Sequence, residues 1–354
     1  MTPRFDKIHN RFKLNGIHFN HDQLKEVAYS LVKEGESFEQ IAGNFLLDWL
    51  DHKDYVLTKT SGSTGTPKTI KIKKQEMVNS SVMTADFFDL KPGDTALHCL
   101  PSQFIAGKMM LVRAMIIGLE IEMVEPTSRP PYDHHKAYDF CAMIPMQLQN
   151  SLHRLDHIKK VIVGGARVSK SLRSEIEKVN ATVYETYGMT ETVSHIAIRQ
   201  LNHSKAPETH FKILRDIKIS QDDRDCLVID AKELSQDIVV TNDVVEMVSD
   251  SEFDIIGRID NMINSGGVKL FPETIEAKLQ DKLDKRFIIA SEQDEVLGEK
   301  VILVVEGESD KVDPSVFKDL EKFEVPKAIY NIPKFLSTPN SKIMRKKTLE
   351  LIFG

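Results

Sequence analysis

The sequence predicts an α/β protein: a large N-terminal domain with mainly parallel sheets covered by helices plus a β-rich subdomain, and a small α+β C-terminal domain. Three observations carry the prediction. At 354 residues the chain is too long for one ordinary domain and comfortable for two. Between residues 94 and 187 short β-rich runs alternate with helically spaced segments, as parallel strands joined by crossover helices do. From 193 to 258 the helical spacing fades and β-rich runs dominate, after which a new mixed unit begins. The boundary falls after Gly257-Arg258, giving domains of residues 1–258 and 259–354.

In chain order, YVLTK (55–59) and TIKIK (69–73) read as two strands around a loop. DTALHCL (94–100), LEIEMV (119–124), YDFCAM (138–143), VIVGG (161–165) and TVYETY (182–187) are the next strands. SKSLRSEIEKV (169–179) has helical spacing and opens on Ser169, which can cap. DCLVID, DIVV and VVEMV predict an antiparallel appendage to the main domain. In the last unit FPETIEAKLQDKL is a helix with Pro272 near its start, KVILVVEG a strand, and DPSVFKDLEKF a further helix.

Composition removes several function classes. Lys and Arg number 47 against 53 Asp and Glu, a net charge of −6. No basic field invites nucleic acid, and the chain is not acidic enough to be disordered. The start, MTPRFDKIHN, is charged where a signal peptide needs an apolar run. The most apolar stretch, 109–124, is interrupted by Arg113, Glu120 and Glu122 too soon to span a bilayer, so no membrane insertion is expected. Cys99, Cys141 and Cys226 are far apart in sequence with no CxxC, which suits a reducing cytoplasm better than a disulfide framework or a zinc site. His134-His135 and His153 with His157 have no carboxylate or cysteine at ligand spacing and read as solvated side chains.

The densest chemistry lies in Thr60-Ser61-Gly62-Ser63-Thr64-Gly65-Thr66-Pro67-Lys68. Glycines let backbone N–H groups approach oxyanions, hydroxyls donate further hydrogen bonds, and lysine adds a point charge. A Walker P-loop is rejected: Pro67 stands where its second glycine belongs, and a strand rather than a helix follows. Two readings stand, a Ser/Gly surface linker and an anion cradle between two strands, and the Pro-Lys that ends so dense a hydroxyl cluster argues for the cradle.

TSGSTGTPK resembles the phosphate-binding signature of the acyl-adenylate-forming (AMP-binding) superfamily, and three more signatures follow in that family's order. The resemblance implies that Thr60, Ser61, Gly62, Ser63, Thr64, Gly65 and Lys68 hold the β- and γ-phosphates of ATP. In Tyr184-Glu185-Thr186-Tyr187-Gly188-Met189-Thr190-Glu191-Thr192 it places Thr190 on the α-phosphate, Glu191 on Mg²⁺ and Tyr187 near the adenine, beside Gly188. Gly164, Gly165 and Ala166 resemble the backbone contact to the adenine ring, and Asp243 of Thr241-Asn242-Asp243 the acceptor of the ribose hydroxyls. Asn242 replaces a glycine common among relatives. In the block from Gly257 to Lys269, Arg258 is implied to contact the ribose or phosphate and Asp260 to be the hinge of a mobile C-terminal domain. Gly266, Gly267 and Lys269 resemble the Gly-rich strand that lines the pantetheine tunnel, itself a candidate β-hairpin turn. Near the C-terminus, Lys342 resembles the lysine that bridges substrate carboxylate and α-phosphate, with Ser341 where the family usually has glycine.

The implied reaction joins a small-molecule carboxylic acid to AMP and then to coenzyme A (CoA), with ATP, Mg²⁺ and CoA as cofactors and co-substrates. The segment that carries an ammonium-binding Asp in amino-acid-activating relatives aligns with Phe104-Ile105-Ala106-Gly107, which has none. An α-amino acid is therefore disfavoured, and Phe104 and Gly107 become pocket residues for an aryl or apolar acid. Lys108 and Arg113 are nearby cations, each readable either as a partner for a second carboxylate or as a surface charge. From about residue 55 to 350 the chain resembles the short bacterial o-succinylbenzoate–CoA ligases of menaquinone biosynthesis. The N-terminal portion ahead of Thr60 is trimmed relative to larger relatives, which leaves homo-oligomerisation open. Two other readings stand beside this one: transfer of the acyl group to a carrier-protein thiol, and a catalytically silent nucleotide-binding protein.

Overall fold

The computed structural model describes residues 3–59, 68–204, 209–308, 312–337 and 343–354. Two short strands, β1 (Lys13–Leu14) and β2 (Ile17–His18), precede helices α1 (His21–Glu34) and α2 (Ser37–Leu50). α1 starts where Asn20 and Gln23 cap each other's backbone reciprocally. β3 (Tyr55–Lys59) and β4 (Thr69–Lys73) pair antiparallel, with Lys59 opposite Thr69, and α3 (Lys74–Phe88) follows. The cradle loop therefore joins two strands, as its flanking alternation predicts.

The alternating region runs β5 (Thr95–His98), α4 (Ile105–Ile117), β6 (Glu120–Met123), β7 (Tyr138–Met143), α5 (Pro145–Ser151), β8 (Ile158–Val163), α6 (Lys170–Ile176) and β9 (Thr182–Gly188). α6 is capped by Ser169, whose side chain accepts from Leu172 N. β1, β6, β5, β7, β8 and β9 are neighbours in that order and pair in parallel. After β9 come β10 (His195–Gln200), β11 (Phe211–Ile213), β12 (Lys218–Gln221), β13 (Cys226–Asp230), β14 (Val239–Ser249) and β15 (Glu252–Arg258). These continue the same sheet antiparallel in the order β10-β11-β15-β14-β13-β12, making thirteen strands among the described residues. The β-rich stretch is thus a prolongation of the parallel sheet.

Residues alternate between the two faces of the parallel part. Ala96 joins a core shared with α1–α4, whereas Leu97 and Cys99 join a core built on α5 and α6. α4 is buried from Gly107 to Ile117, apolar but for Lys108 and Arg113, as befits a central helix. It ends at Gly118, whose φ of +87° places it in the left-handed region that glycine tolerates. Among the described residues no helix is long and apolar enough to cross a membrane. The parallel register also brings two thiols distant in sequence together: Cys99 and Cys141 Sγ stand 3.9 Å apart, both buried and free. Burial pushes the Cys141 thiol up.

Beyond Arg258 a separate sheet forms from β16 (Ile263–Ser265), β17 (Val268–Leu270), β18 (Phe287–Asp294), β19 (Gly298–Glu306) and β20 (Ala328–Ile332), with helices α7 (Pro272–Leu279) and α8 (Arg345–Phe353). Ile289, Val301 and Leu303 face α7, while Ile288, Ile302 and Val304 face α8. One expected helix does not form. In DPSVFKDLEKF only Pro314–Phe317 makes a 3₁₀ turn. Lys318 N and Leu320 N bond carbonyls three residues back, and the Glu324 carboxylate takes Glu321 N and Lys278 Nζ, so no α-helical ladder is completed. The apolar residues there still pack onto the core, which is the periodicity the sequence displays.

Candidate active site

Several of the singled-out segments meet at the carboxyl edge of the parallel strands, where open α/β sheets bind ligands. β8 and β9 are neighbours with Val163 opposite Glu185, so Gly164 arrives directly against Thr186. A β-carbon on Gly164 would lie 2.6 Å from Thr186 Oγ1, a contact only glycine avoids. Gly165, at φ +84°, turns the chain outward, and Ala166 is exposed beside it.

The segment 184–192 does more than end a strand. Glu185 is buried, and its Oε2 pairs with Arg199 Nη2 at 2.6 Å and Arg173 Nη2 at 2.8 Å, while Oε1 accepts from Val168 N at 3.0 Å. One carboxylate thereby ties β9 to β10, to α6 and to the loop after Gly165. Tyr187 is 8% exposed, with its ring against Phe253 and Phe211. Its hydroxyl donates to Asp243 Oδ2 at 2.7 Å, and burial followed by that carboxylate pushes the phenol up. In this structure the ring is enclosed and orients Asp243 rather than offering a face. β14 and β15 put Asp243 directly opposite Arg258, whose Nη1 reaches Asp243 Oδ1 and Nη2 reaches Asp260 Oδ2, both at 2.8 Å. Asn242, the departure from glycine, donates to both Asp260 oxygens at 3.1 and 3.2 Å. Tyr187, Asp243, Arg258 and Asp260 form one chain of contacts at the sheet edge.

Thr190 opens a 3₁₀ turn, Thr190–Thr192, that leaves Glu191 exposed, with no ion-pair partner among the described residues. Gly188 packs so closely on the returning strand that a β-carbon would meet Ser194 O at 2.2 Å. Ser265 pairs with Val268, so Gly266 and Gly267, at φ +60° and +82°, form a two-residue type I′ turn, with Lys269 exposed just after it. Thr60, Ser61, Gly62, Ser63, Thr64 and Gly65 lie outside the described residues, as do Ser341 and Lys342. Their flanks are described: the β3–β4 pairing up to Lys59 and Thr69, and a bridge between Ser337 and Ile343. Lys68 is exposed at the foot of β4.

Phe104 is the residue before α4 and is half-buried; Gly107 backs onto Pro101, where a β-carbon would meet its carbonyl oxygen at 2.4 Å. The two candidate cations then part company, five residues and about 140° apart on the helix. Lys108 Nζ donates to Leu57 O at 3.0 Å and so anchors β3. Burial pushes its amino group down. Arg113 is 1% exposed and faces the β9–β10 connection. Its Nη2 donates to Ser194 Oγ at 2.8 Å and its Nε to Thr84 Oγ1 at 3.3 Å, and no described carboxylate pairs with it. Burial pulls the guanidinium down to about 9, still charged at neutral pH. His195, next to Ser194, is held neutral by burial and then by the Arg113 charge. A cavity of about 440 Å³ lies farther along the same edge, beyond β5, lined by His98, Leu100 and Met123; it does not include Arg113.

Ser194 and Glu185 are the site residues that residue-by-residue reading missed. Both stand within or just after a legible motif, but their partners come from other elements.

This edge gathers the glycine turn after β8, the Thr190–Thr192 turn with Glu191, and the Asp243–Arg258 pair. Residues 20–225, more than half of the chain, match the model of the AMP-binding enzyme family. An AMP-forming acyl-CoA synthetase/AMP-acid ligase II-like protein of Dyadobacter fermentans is 34% identical, with 93% of this chain and 98% of that one covered and a TM-score of 0.61. The chain belongs to the AMP-binding enzyme family, in its AMP-forming acid–CoA ligase class. It is 22% identical to the 2-succinylbenzoate–CoA ligase of Bacillus cytotoxicus over 83% of its own length and 69% of that enzyme's. The o-succinylbenzoate coenzyme A synthetase of Bacillus subtilis, solved with ATP and magnesium ion, shares the fold at a TM-score of 0.74 and 17% identity, covering 83% and 69% of the two chains.

Proposed function

We propose that this chain activates an aromatic dicarboxylic acid, o-succinylbenzoate being the best fit, by forming its adenylate and passing the acyl group to CoA. The observation that carries the choice of acid is Arg113. A buried cation without an anionic partner is costly, and a binding site that supplies the anion with its substrate offsets that cost. Arg113 and Ser194 together offer a charged and a neutral donor to a carboxylate remote from the reacting one.

In the first step a carboxylate oxygen attacks the α-phosphorus of ATP, an O–P bond forms, and the bond to pyrophosphate breaks. Two anions must meet, so positive charge and backbone donors must be in place beforehand. Thr60 to Gly65 and Lys68 would hold the β- and γ-phosphates, Thr190 the α-phosphate, and Lys342 the charge that develops between acid and phosphate. Gly164, Gly165 and Ala166 would take the adenine edge, Asp243 the ribose hydroxyls, and Arg258 the ribose or phosphate, with Tyr187 holding Asp243 in position. A magnesium ion, when bound, neutralises phosphate charge. An exposed, unpaired Glu191 fits it, because Mg²⁺ commonly uses one protein carboxylate together with phosphate oxygens. No described group of three or more metal-ligating side chains competes for that role. In the second step the CoA thiolate attacks the acyl carbon, a C–S bond forms and AMP leaves. The strand around Gly266, Gly267 and Lys269 would line the approach of the thiol, brought in by rotation of residues 259–354 about Asp260.

The test is mass spectrometry of products from ATP, Mg²⁺, CoA and o-succinylbenzoate, run beside benzoate, a medium-chain fatty acid and an amino acid. A CoA thioester of o-succinylbenzoate alone supports the proposal; AMP formed with another acid overturns the choice of acid. Adenylate without thioester points to a carrier-protein thiol as acceptor, and no AMP from any acid to a silent binder.

Two variants sharpen this. Arg113→Met removes the charge and keeps the bulk. KM for o-succinylbenzoate is expected to rise about 10–100-fold, the worth of a hydrogen-bonded charge. The melting temperature should hold or rise, because a buried ion is replaced by an apolar side chain. An unchanged KM would remove Arg113 from acid binding. Asp260→Pro fixes φ and deletes the carboxylate that Arg258 and Asn242 hold. Adenylation should survive and thioester formation fail; equal slowing of both half-reactions would remove the support for rotation about this residue.

A further inference from the structure

We propose that Val193 is a positioning residue for acid specificity: a strained turn centred on it aims the Ser194 hydroxyl at Arg113. This rests on the reading of Arg113 and Ser194 as the site of the second carboxylate. Among the described residues six non-glycines have positive φ: Asn15, Asp89, Val193, His203, Asp216 and Asp225. Five are Asn, Asp or His, which visit that region readily; a β-branched residue there is a true outlier. Val193 sits at φ +65°, ψ −52°, and Ser194 N bonds Thr192 O at 2.7 Å across it. That is a γ-turn of the rare positive-φ kind, which persists only where surrounding contacts enforce it.

The enforcing contacts are present. The connection between β9 and β10 spans only residues 189–194 and must return onto Gly188, where Ser194 O and His195 Cα leave no room for a β-carbon. Thr192 Oγ1 donates to Ser194 O at 2.9 Å and accepts from Met189 N at 3.1 Å, and Val193 N bonds Thr190 O at 3.0 Å. The Val193 side chain is 1% exposed and joins the core. Pinned on both sides, the turn delivers Ser194 Oγ to 2.8 Å from Arg113 Nη2 and 3.4 Å from His195 Nδ1. With Arg113 on one lone pair of Ser194 and His195 Nδ1 3.4 Å away, the hydroxyl proton can turn from the imidazole to an acid oxygen when the substrate is bound. The bonds across the turn hold the Ser194 backbone, and the contact with Arg113 holds its hydroxyl.

The test compares Val193→Ala with Val193→Gly. Both lose the valine methyls, and only glycine is released from the steric limit on φ. The glycine variant is expected to melt above the alanine variant, the reverse of the usual order, because strain is relieved. Its KM for o-succinylbenzoate should exceed that of the alanine variant about tenfold, the loss of one charge-assisted hydrogen bond, with KM for ATP matched between the two. Equal acid KM in the two variants, or a glycine variant that melts below the alanine one, overturns the proposal. A wild type that does not prefer o-succinylbenzoate to benzoate overturns the dicarboxylate reading instead. The same pair is then compared on the acid it does use, where equal KM again overturns the role of Val193.

Discussion

Lys342→Ala is expected to lower acyl-adenylate formation by about 10²–10³-fold, the usual loss when one well-placed stabilising donor is removed from a developing charge. The lysine faces a specific problem. Attack of a carboxylate on ATP brings a monoanion against a polyanion, and the charge that builds between them lies on oxygens that no exposed glutamate or hydroxyl can neutralise. A single ammonium bridging both oxygens addresses it, and glutamine or alanine at 342 does not. Pyrophosphate release in a single turnover reads this step directly. Thioester formation from supplied acyl adenylate reads the next step, which on the proposed mechanism does not use the lysine and should proceed at near the wild-type rate. Near-normal adenylate formation by the variant would remove Lys342 from the mechanism. Equal loss in both half-reactions would assign it a structural role.

The largest expected effect on stability belongs to Glu185→Ala. Arg199, with 7% of its side chain exposed, and Arg173, with 32%, converge on a carboxylate that is itself 4% exposed. Deleting one member of such a group leaves buried charge uncompensated and typically costs about 3–5 kcal/mol. Arg199 keeps a bond to Thr209 O and a contact with Asp254, which limits the damage on its side; Val168 N loses its acceptor outright. At this chain length the melting temperature should fall by roughly 4–7 °C. Glu185→Gln, which keeps an acceptor and the shape, should fall by less. An alanine variant that melts within about 1 °C of wild type would mean the network is dispensable, since that corresponds to under roughly 1 kcal/mol.

Much of the fold is legible in local pattern. The strands 138–143 and 182–187, the Ser169 cap and the hairpin around residues 60–68 follow from alternation and capping chemistry that neighbouring residues supply. Helices α1 and α2 were missed, although Asn20 with Gln23 is a readable start signal for α1. Leu24, Val27, Ala28 and Leu31 also stand at i, i+3, i+4 and i+7 on its core-facing side, so α1 is legible in local pattern as well. DPSVFKDLEKF misled: its apolar spacing serves packing against α7 and the sheet, whereas Pro314 and the Glu324 carboxylate hold the backbone in tighter turns.

The candidate site divides in the same way. Glycine- and hydroxyl-rich segments announce themselves because the chemistry of phosphate binding uses consecutive backbone groups, and consecutive groups are written as consecutive residues. By itself, then, the sequence determined the class of enzyme, the order of the strands in the alternating region and the segments that carry the family's signatures. The tertiary structure alone decided that Arg113 and Lys108, neither paired with a described carboxylate, point to different neighbours, that Ser194 stands against Arg113 while Lys108 anchors β3, and that Glu185 and Tyr187 hold the edge in shape. Those outcomes depend on which face of α4 meets which loop, and on strands 56 residues apart in the case of Tyr187 and Asp243. Such contacts are set by packing across the sheet, and no spacing along the chain encodes them.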